Sequence, residues 1–136
     1  MEIFRINDHV SVSPQIEVGD VEAIKQAGFV TIVNNRPDGE EEDQTPGGDI
    51  KRAAEAAGLT YIEIPMGRQG VNAQMIEDTR NALDNSEGPV FCYCRSGTRS
   101  TTLWALSQAG RMPAEEIIQA AADAGYNIRH LAGHLS

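Results

Sequence analysis

The residues Cys94-Arg95-Ser96-Gly97-Thr98-Arg99 follow directly on the apolar run 89–94. Their types are those of nucleophilic chemistry on an anion. The thiolate is the reactive form of cysteine, and helix N-termini and neighbouring guanidinium groups are the surroundings that favour it. A glycine-containing turn at a strand end directs consecutive N–H groups toward one point, and a following helix adds the positive end of its dipole. The stretch Arg95, Ser96, Gly97 and Thr98 is therefore expected to form an anion cradle around the Cys94 sulfur. Arg99 can fork two donors onto an oxyanion held there.

Such a loop has to be carried by a sheet and followed by a helix, and the rest of the chain supplies both. Short β-rich runs alternate with helical patterns, which predicts an α/β fold with a central, mostly parallel sheet of four to five strands flanked by helices. Strands are expected at 4–6, 10–12, 29–33 and 59–65, and in the run from Gly88-Pro89 into Cys94. Helices are expected at 21–27 behind an Asp20 cap, at 49–57, and from an Asn72 cap to about Asn85, with Met75, Ile76, Thr79 and Leu83 on the inner face. Further helices are predicted at 100–109, at 114–124 with Pro113 at the first position, and at 128–135. The stretch 34–48 reads as a long loop, and long loops in compact domains tend to carry function.

At 136 residues with 40% hydrophobic content, the chain fits a single domain spanning 1–136, large enough for a core without disulfides. Its 11 basic and 20 acidic residues give a formal charge of −9, which argues against nucleic acid or an anionic membrane as partner. Nothing at the start resembles a signal peptide and no stretch is long enough to span a membrane, so a cytoplasmic protein is expected. Two cysteines spaced Cys-x-Cys are no disulfide framework. The acidic residues crowd at 40–43 whereas Arg36, Arg68, Arg95 and Arg99 fall in loops, a distribution that predicts a basic pocket on an acidic body.

The string Tyr93-Cys94-Arg95-Ser96-Gly97-Thr98-Arg99-Ser100 with Leu103-Trp104-Ala105-Leu106, the string Val33-Asn34-Asn35-Arg36-Pro37-Asp38-Gly39-Glu40-Glu41, and Ile64-Pro65 together resemble the phosphatase-like domain family of beta-lactamase hydrolase-like proteins. The resemblance implies a tyrosine/dual-specificity phosphatase-like fold. It implies either of two activities, because the family is described both as phosphatase-like and as sulfurtransferase. It also gives Ser100 a role as a hydroxyl supporting the Cys94 thiolate. Two departures from the tyrosine phosphatase pattern stand out. Four residues rather than five separate Cys94 from Arg99, the length of the rhodanese loop, and Tyr93 replaces a histidine. The stretch Met66-Gly67-Arg68-Gln69-Gly70 lacks the carboxylate that serves these phosphatases as general acid.

Both departures favour a rhodanese-like sulfurtransferase working through a Cys94 persulfide. The alternative is a phosphatase with a phosphocysteine intermediate and Asp38 as its acid, and a third reading is a non-catalytic anion-binding or redox-sensing module. The expected partner is a small anionic or sulfane-sulfur substrate, with no cofactor and no metal. Arg36 and Asp38 are expected to pin the long loop as an ion pair. Cys92 is expected in the core, although a resolving thiol is conceivable there. His130 and His134 stand at i, i+4 spacing and are read as surface residues.

Overall fold

Five short strands form one sheet in the computed structural model, which describes residues 1–136: β1 (Phe4–Arg5), β2 (Val10–Ser13), β3 (Thr31–Asn34), β4 (Thr60–Glu63) and β5 (Val90–Tyr93). Their order is β1-β2-β5-β3-β4. The β1 strand runs antiparallel to β2, and the remaining neighbours are parallel. Strand β5 is the middle of the sheet, with Cys92 in register with Val12 on one side and Val33 on the other. The sheet thus delivers the end of β5 between the ends of β2 and β3. Ligands of open α/β sheets bind at these carboxyl ends.

Successive strand residues point to opposite faces, and each face here has its own core. Phe91 and Tyr93 pack with Ile32, Ile50 and Ile24 beneath α1 (Val21–Gln26) and α2 (Gly47–Ala56). Val90 and Cys92 pack with Val12, Val33, Leu103 and Trp104 beneath α3 (Ala73–Asn85), α4 (Thr98–Ser107) and α5 (Ala114–Asp123). Helix α4, which carries the sequence after the Cys94 loop, is buried over most of its length. A helix buried in the core is a rigid mount for whatever its N-terminus presents.

Several boundaries differ from the sequence-based expectation, each for a local reason. Helix α4 begins at Thr98 rather than residue 100, because Gly97 adopts φ +91° and turns the chain directly into the helix; side chains rarely tolerate that region. Helix α2 begins at Gly47 rather than residue 49, since the Asp38 carboxylate accepts the Gly47 N–H at 2.7 Å. Asp20 stands at the N-cap of α1 as expected, but its side chain makes no cap bond there and instead closes a 3-10 turn, Val18–Asp20, by accepting the Glu17 N–H. Pro113 stands at the cap of α5 rather than inside it. The last predicted helix is a 3-10 segment, Arg129–His134. By contrast α3 has the expected limits, with Asn72 accepting the Met75 N–H at 2.8 Å. No helix is long and apolar enough to cross a membrane.

Replacing Asn72 with alanine strands that N–H at the start of α3. The expected cost is about 1 kcal/mol, read as a lower urea midpoint with an unchanged slope.

Candidate active site

The loop between β5 and α4 is shaped from outside by its carbonyls. The Arg95 carbonyl accepts the Gln15 N–H at 3.2 Å, and the Ser96 carbonyl accepts the Tyr126 hydroxyl at 2.9 Å. The Gly97 carbonyl accepts both the Thr101 N–H at 3.0 Å and the Thr101 hydroxyl at 2.8 Å. In a trans peptide the N–H points opposite to the carbonyl, so each outward bond turns an N–H away from its donor. The Gly97 N–H accordingly reaches the Cys94 Sγ at 3.0 Å. The Ser96 hydroxyl donates to the Thr98 hydroxyl at 3.1 Å and accepts the Thr98 N–H at 3.5 Å. Cys94 itself is fully buried.

Arg99 rises from the first turn of α4 and is held by two other loops. Its Nη1 donates to Glu40 Oε2 at 2.7 Å and to the Met66 carbonyl at 2.9 Å, and its Nη2 donates to Glu40 Oε1 at 2.9 Å. A guanidinium has five N–H donors. Three are spent on these contacts, which leaves the edge formed by Nε and the second Nη2 hydrogen for an anion. Glu40 therefore aims Arg99 rather than consuming it. The hydrogen bond from Arg99, aided by the one from Arg36, holds the Glu40 carboxyl at about 2 despite partial burial. Arg99 is shifted the other way, upward, first by Glu40 and against its own burial, with the Cys94 sulfur adding to the effect.

Behind Glu40 the ion pairs continue. Arg36 is 5% exposed; its Nε donates to Glu40 at 2.9 Å, its Nη1 to Gln15 Oε1 at 3.0 Å, and its Nη2 to Glu41 at 3.3 Å. The exposed Arg95 pairs with Glu41 at 3.0 Å. The Gln44 side chain closes the long loop on itself, bonding the Glu40 N–H and the Pro37 carbonyl. Above this network opens a cavity of ≈ 490 Å³ lined by charged residues and glycine apart from Pro37; Arg68, Arg95 and Arg99 face Asp38, Glu40 and Glu41. The expected basic pocket is thus evenly charged, because the acid cluster folds over the arginines.

The structure gathers Cys94, Arg95, Ser96, Gly97, Thr98 and Arg99 around one loop, revises two other assignments and keeps Cys92 where it was expected. Ser100 does not bond Cys94: its hydroxyl is buried with no partner beside Cys92 and Trp104, because the helix turns it into the core. Arg36 and Asp38 do not pair. Arg36 is held by Glu40, Glu41 and Gln15, while Asp38 caps α2. Cys92 is a core residue, its thiol pushed up to about 12 by burial and then by the charge of Cys94. Sequence reasoning missed Gln15, Glu40, Glu41 and Tyr126. Glu40 and Glu41 stood in an acidic cluster and at the end of a family-like string, without a role, and nothing in the sequence pointed to Gln15 or Tyr126.

This geometry agrees with what the chain is similar to. Residues 3–111 match the model of the beta-lactamase hydrolase-like protein, phosphatase-like domain. The chain belongs to that family. A beta-lactamase hydrolase-like protein of Agrobacterium fabrum is 36% identical over 119 residues, covering 86% of this chain and 28% of the relative. The phosphatase-like domain therefore spans little more than a quarter of such a protein. A crystal structure of a candidate phosphatase from Neisseria meningitidis has 38% identity and a TM-score of 0.86, over 100% of this chain and 97% of that one. The PTP-2 phosphatase of Cydia pomonella shares the fold, with a TM-score of 0.75 at 20% identity over 98% of this chain and 88% of its own. The phosphatase-like domain thus carries a tyrosine/dual-specificity phosphatase-like fold. These likenesses favour the phosphatase alternative and give the sulfurtransferase reading no support.

The pairing of Glu40 with Arg99 makes two outcomes measurable. A carboxyl depressed in the folded state stabilises the fold above its unfolded value near 4.5 and loses that contribution as the pH falls toward about 2. The acid limb of a stability-against-pH curve should be shallower over that window in Glu40→Gln. With Arg99 no longer aimed, the same variant should bind inorganic phosphate about tenfold more weakly, measured by competitive inhibition or calorimetry.

Proposed function

We propose that this phosphatase-like domain is a cysteine-dependent phosphohydrolase acting on a small, polar, anionic phosphate compound. The contact that carries the reading is the Gly97 N–H on the Cys94 Sγ, together with the free edge of Arg99. In the first step the Cys94 sulfur forms a bond to phosphorus, the bond from phosphorus to the leaving oxygen breaks, and its electron pair departs with that oxygen. In the second step water attacks phosphorus, the sulfur–phosphorus bond returns its electrons to sulfur, and the proton of the water passes to solvent. The loop N–H groups and Arg99 stabilise charge on the transferring group, an effect worth about 10²–10³ per well-aimed donor. Because Cys94 is fully buried and forms no part of the cavity wall, side chains at the cavity floor must move to admit the substrate.

The choice of substrate class rests on two further observations. A phosphotyrosine site needs an extended apolar wall for the ring, and this cavity is lined by charged residues and glycine apart from Pro37. The carboxylates near it are also engaged: Glu40 is ionised down to about pH 2, Glu41 lies between Arg36 and Arg95, and Asp38 caps α2. General acid catalysis, typically worth 10²–10⁴-fold, is then missing, which matters least when the leaving group is weakly basic. Acyl phosphates and phosphoanhydrides have such leaving groups.

The same lack of an acid, with the four-residue spacing of Cys94 and Arg99, favours a second reading. In sulfane-sulfur transfer the Cys94 sulfur bonds to the outer sulfur of thiosulfate and sulfite leaves with the electron pair of the broken S–S bond, no proton being required. An acceptor thiolate then takes the outer sulfur.

Phosphate release from acetyl phosphate should exceed release from an alkyl phosphate by about 100-fold, as expected where no acid assists. It should fall more than about a thousandfold in Cys94→Ser and stay within about threefold in Asp38→Asn. A one-sulfur mass increment on Cys94 after incubation with thiosulfate, with no phosphate released from either compound, would replace the phosphohydrolase by the sulfurtransferase.

A further inference from the structure

We propose that Tyr126 is a positioning residue for the nucleophile, acting through the peptide plane between Ser96 and Gly97. The proposal rests on Cys94 being the nucleophile but not on which anion it attacks. Tyr126 follows α5, beyond residue 111 where the family match ends, so the family match does not reach it. Its hydroxyl donates to the Ser96 carbonyl at 2.9 Å, and the N–H at the other end of that peptide unit donates to the Cys94 Sγ at 3.0 Å. The peptide is planar and trans, so the two bonds share one rigid body, and fixing the carbonyl fixes the direction of the N–H. A peptide followed by glycine at φ +91° needs such a hold, because glycine populates both signs of φ readily and resists a flip of the plane least.

The ring is braced for this task. It meets Phe4 edge to face with centroids 5.9 Å apart, which ties it to the first strand. Burial, and after it the charge of Cys94, push the Tyr126 hydroxyl above the ordinary phenol range, so it remains a donor. The fit is also close. A Cβ built on Gly97 would lie 2.1 Å from the Tyr126 hydroxyl oxygen, and that oxygen occupies the space a side chain would need. Glycine at position 97 is thus required twice, by its backbone angle and by the tyrosine pressed against it.

The Tyr126→Phe variant keeps the ring and its contact with Phe4 and removes only the hydroxyl. In a 15N–1H spectrum of the 136-residue chain, the Gly97 amide proton should move upfield, toward its position in Cys94→Ala where the sulfur acceptor is gone. The kcat for acetyl phosphate should fall about tenfold with KM within about twofold, a smaller loss than removing a donor outright, and the melting temperature should barely change. An unmoved Gly97 amide would overturn the proposal, even if activity fell. A shifted amide in a protein that turns over neither acetyl phosphate nor a phosphate ester would uphold the positioning role and sink the phosphohydrolase reading instead.

Discussion

A guanidinium removed from water must be paired, and Arg36, with only 5% of its surface exposed, imposes that demand on the whole site. Leaving such a charge without partners costs several kcal/mol. Glu40, Glu41 and Gln15 meet the demand, and in doing so they draw the long loop after β3 over the end of the sheet. Once Glu40 is fixed by Arg36 it is also placed to receive Arg99, and Glu41 to receive Arg95. A chain of alternating charges thus runs from a buried arginine to the rim of the cavity. The acidic composition of the chain and the anion-binding role proposed for its loop are compatible because the acid cluster is spent on orienting arginines.

The cradle has a similar logic on the backbone. Three consecutive carbonyls, from Arg95 to Gly97, are bonded to donors from three different parts of the molecule: the segment after β2, the turn after α5, and α4 itself. Preorganised donors cost no reorganisation when charge develops on a substrate. The scaffold contributes to chemistry here without placing a side chain near the reacting atoms.

Much of this was legible in the sequence because it is local. The strand into Cys94, the glycine turn and Arg99 lie within ten residues, and the helix from Asn72 to Asn85 carries its own cap. What escaped was contributed from a distance. Glu40 reaches Arg99 across 59 positions and Tyr126 reaches Ser96 across 30. The start of α2 was misjudged for the same reason, its first N–H being capped from nine residues upstream. Ser100 was misassigned because a resemblance carries over the identity of a residue but not its rotamer, and the helix turns this hydroxyl into the core. The acid cluster was visible as composition, yet composition does not say which carboxylate meets which arginine.

The Met66 contact separates what this site can change from what it must keep. Arg99 donates its third bond to a main-chain carbonyl, and every residue type provides one. The segment between β4 and α3 can therefore exchange its side chains, including those lining the cavity, while Arg99 stays aimed. Glu40 has no such freedom, since its contribution is made by a carboxylate. Divergence in ligand preference is expected to concentrate at residues 66–70, with the loop after β3 constrained.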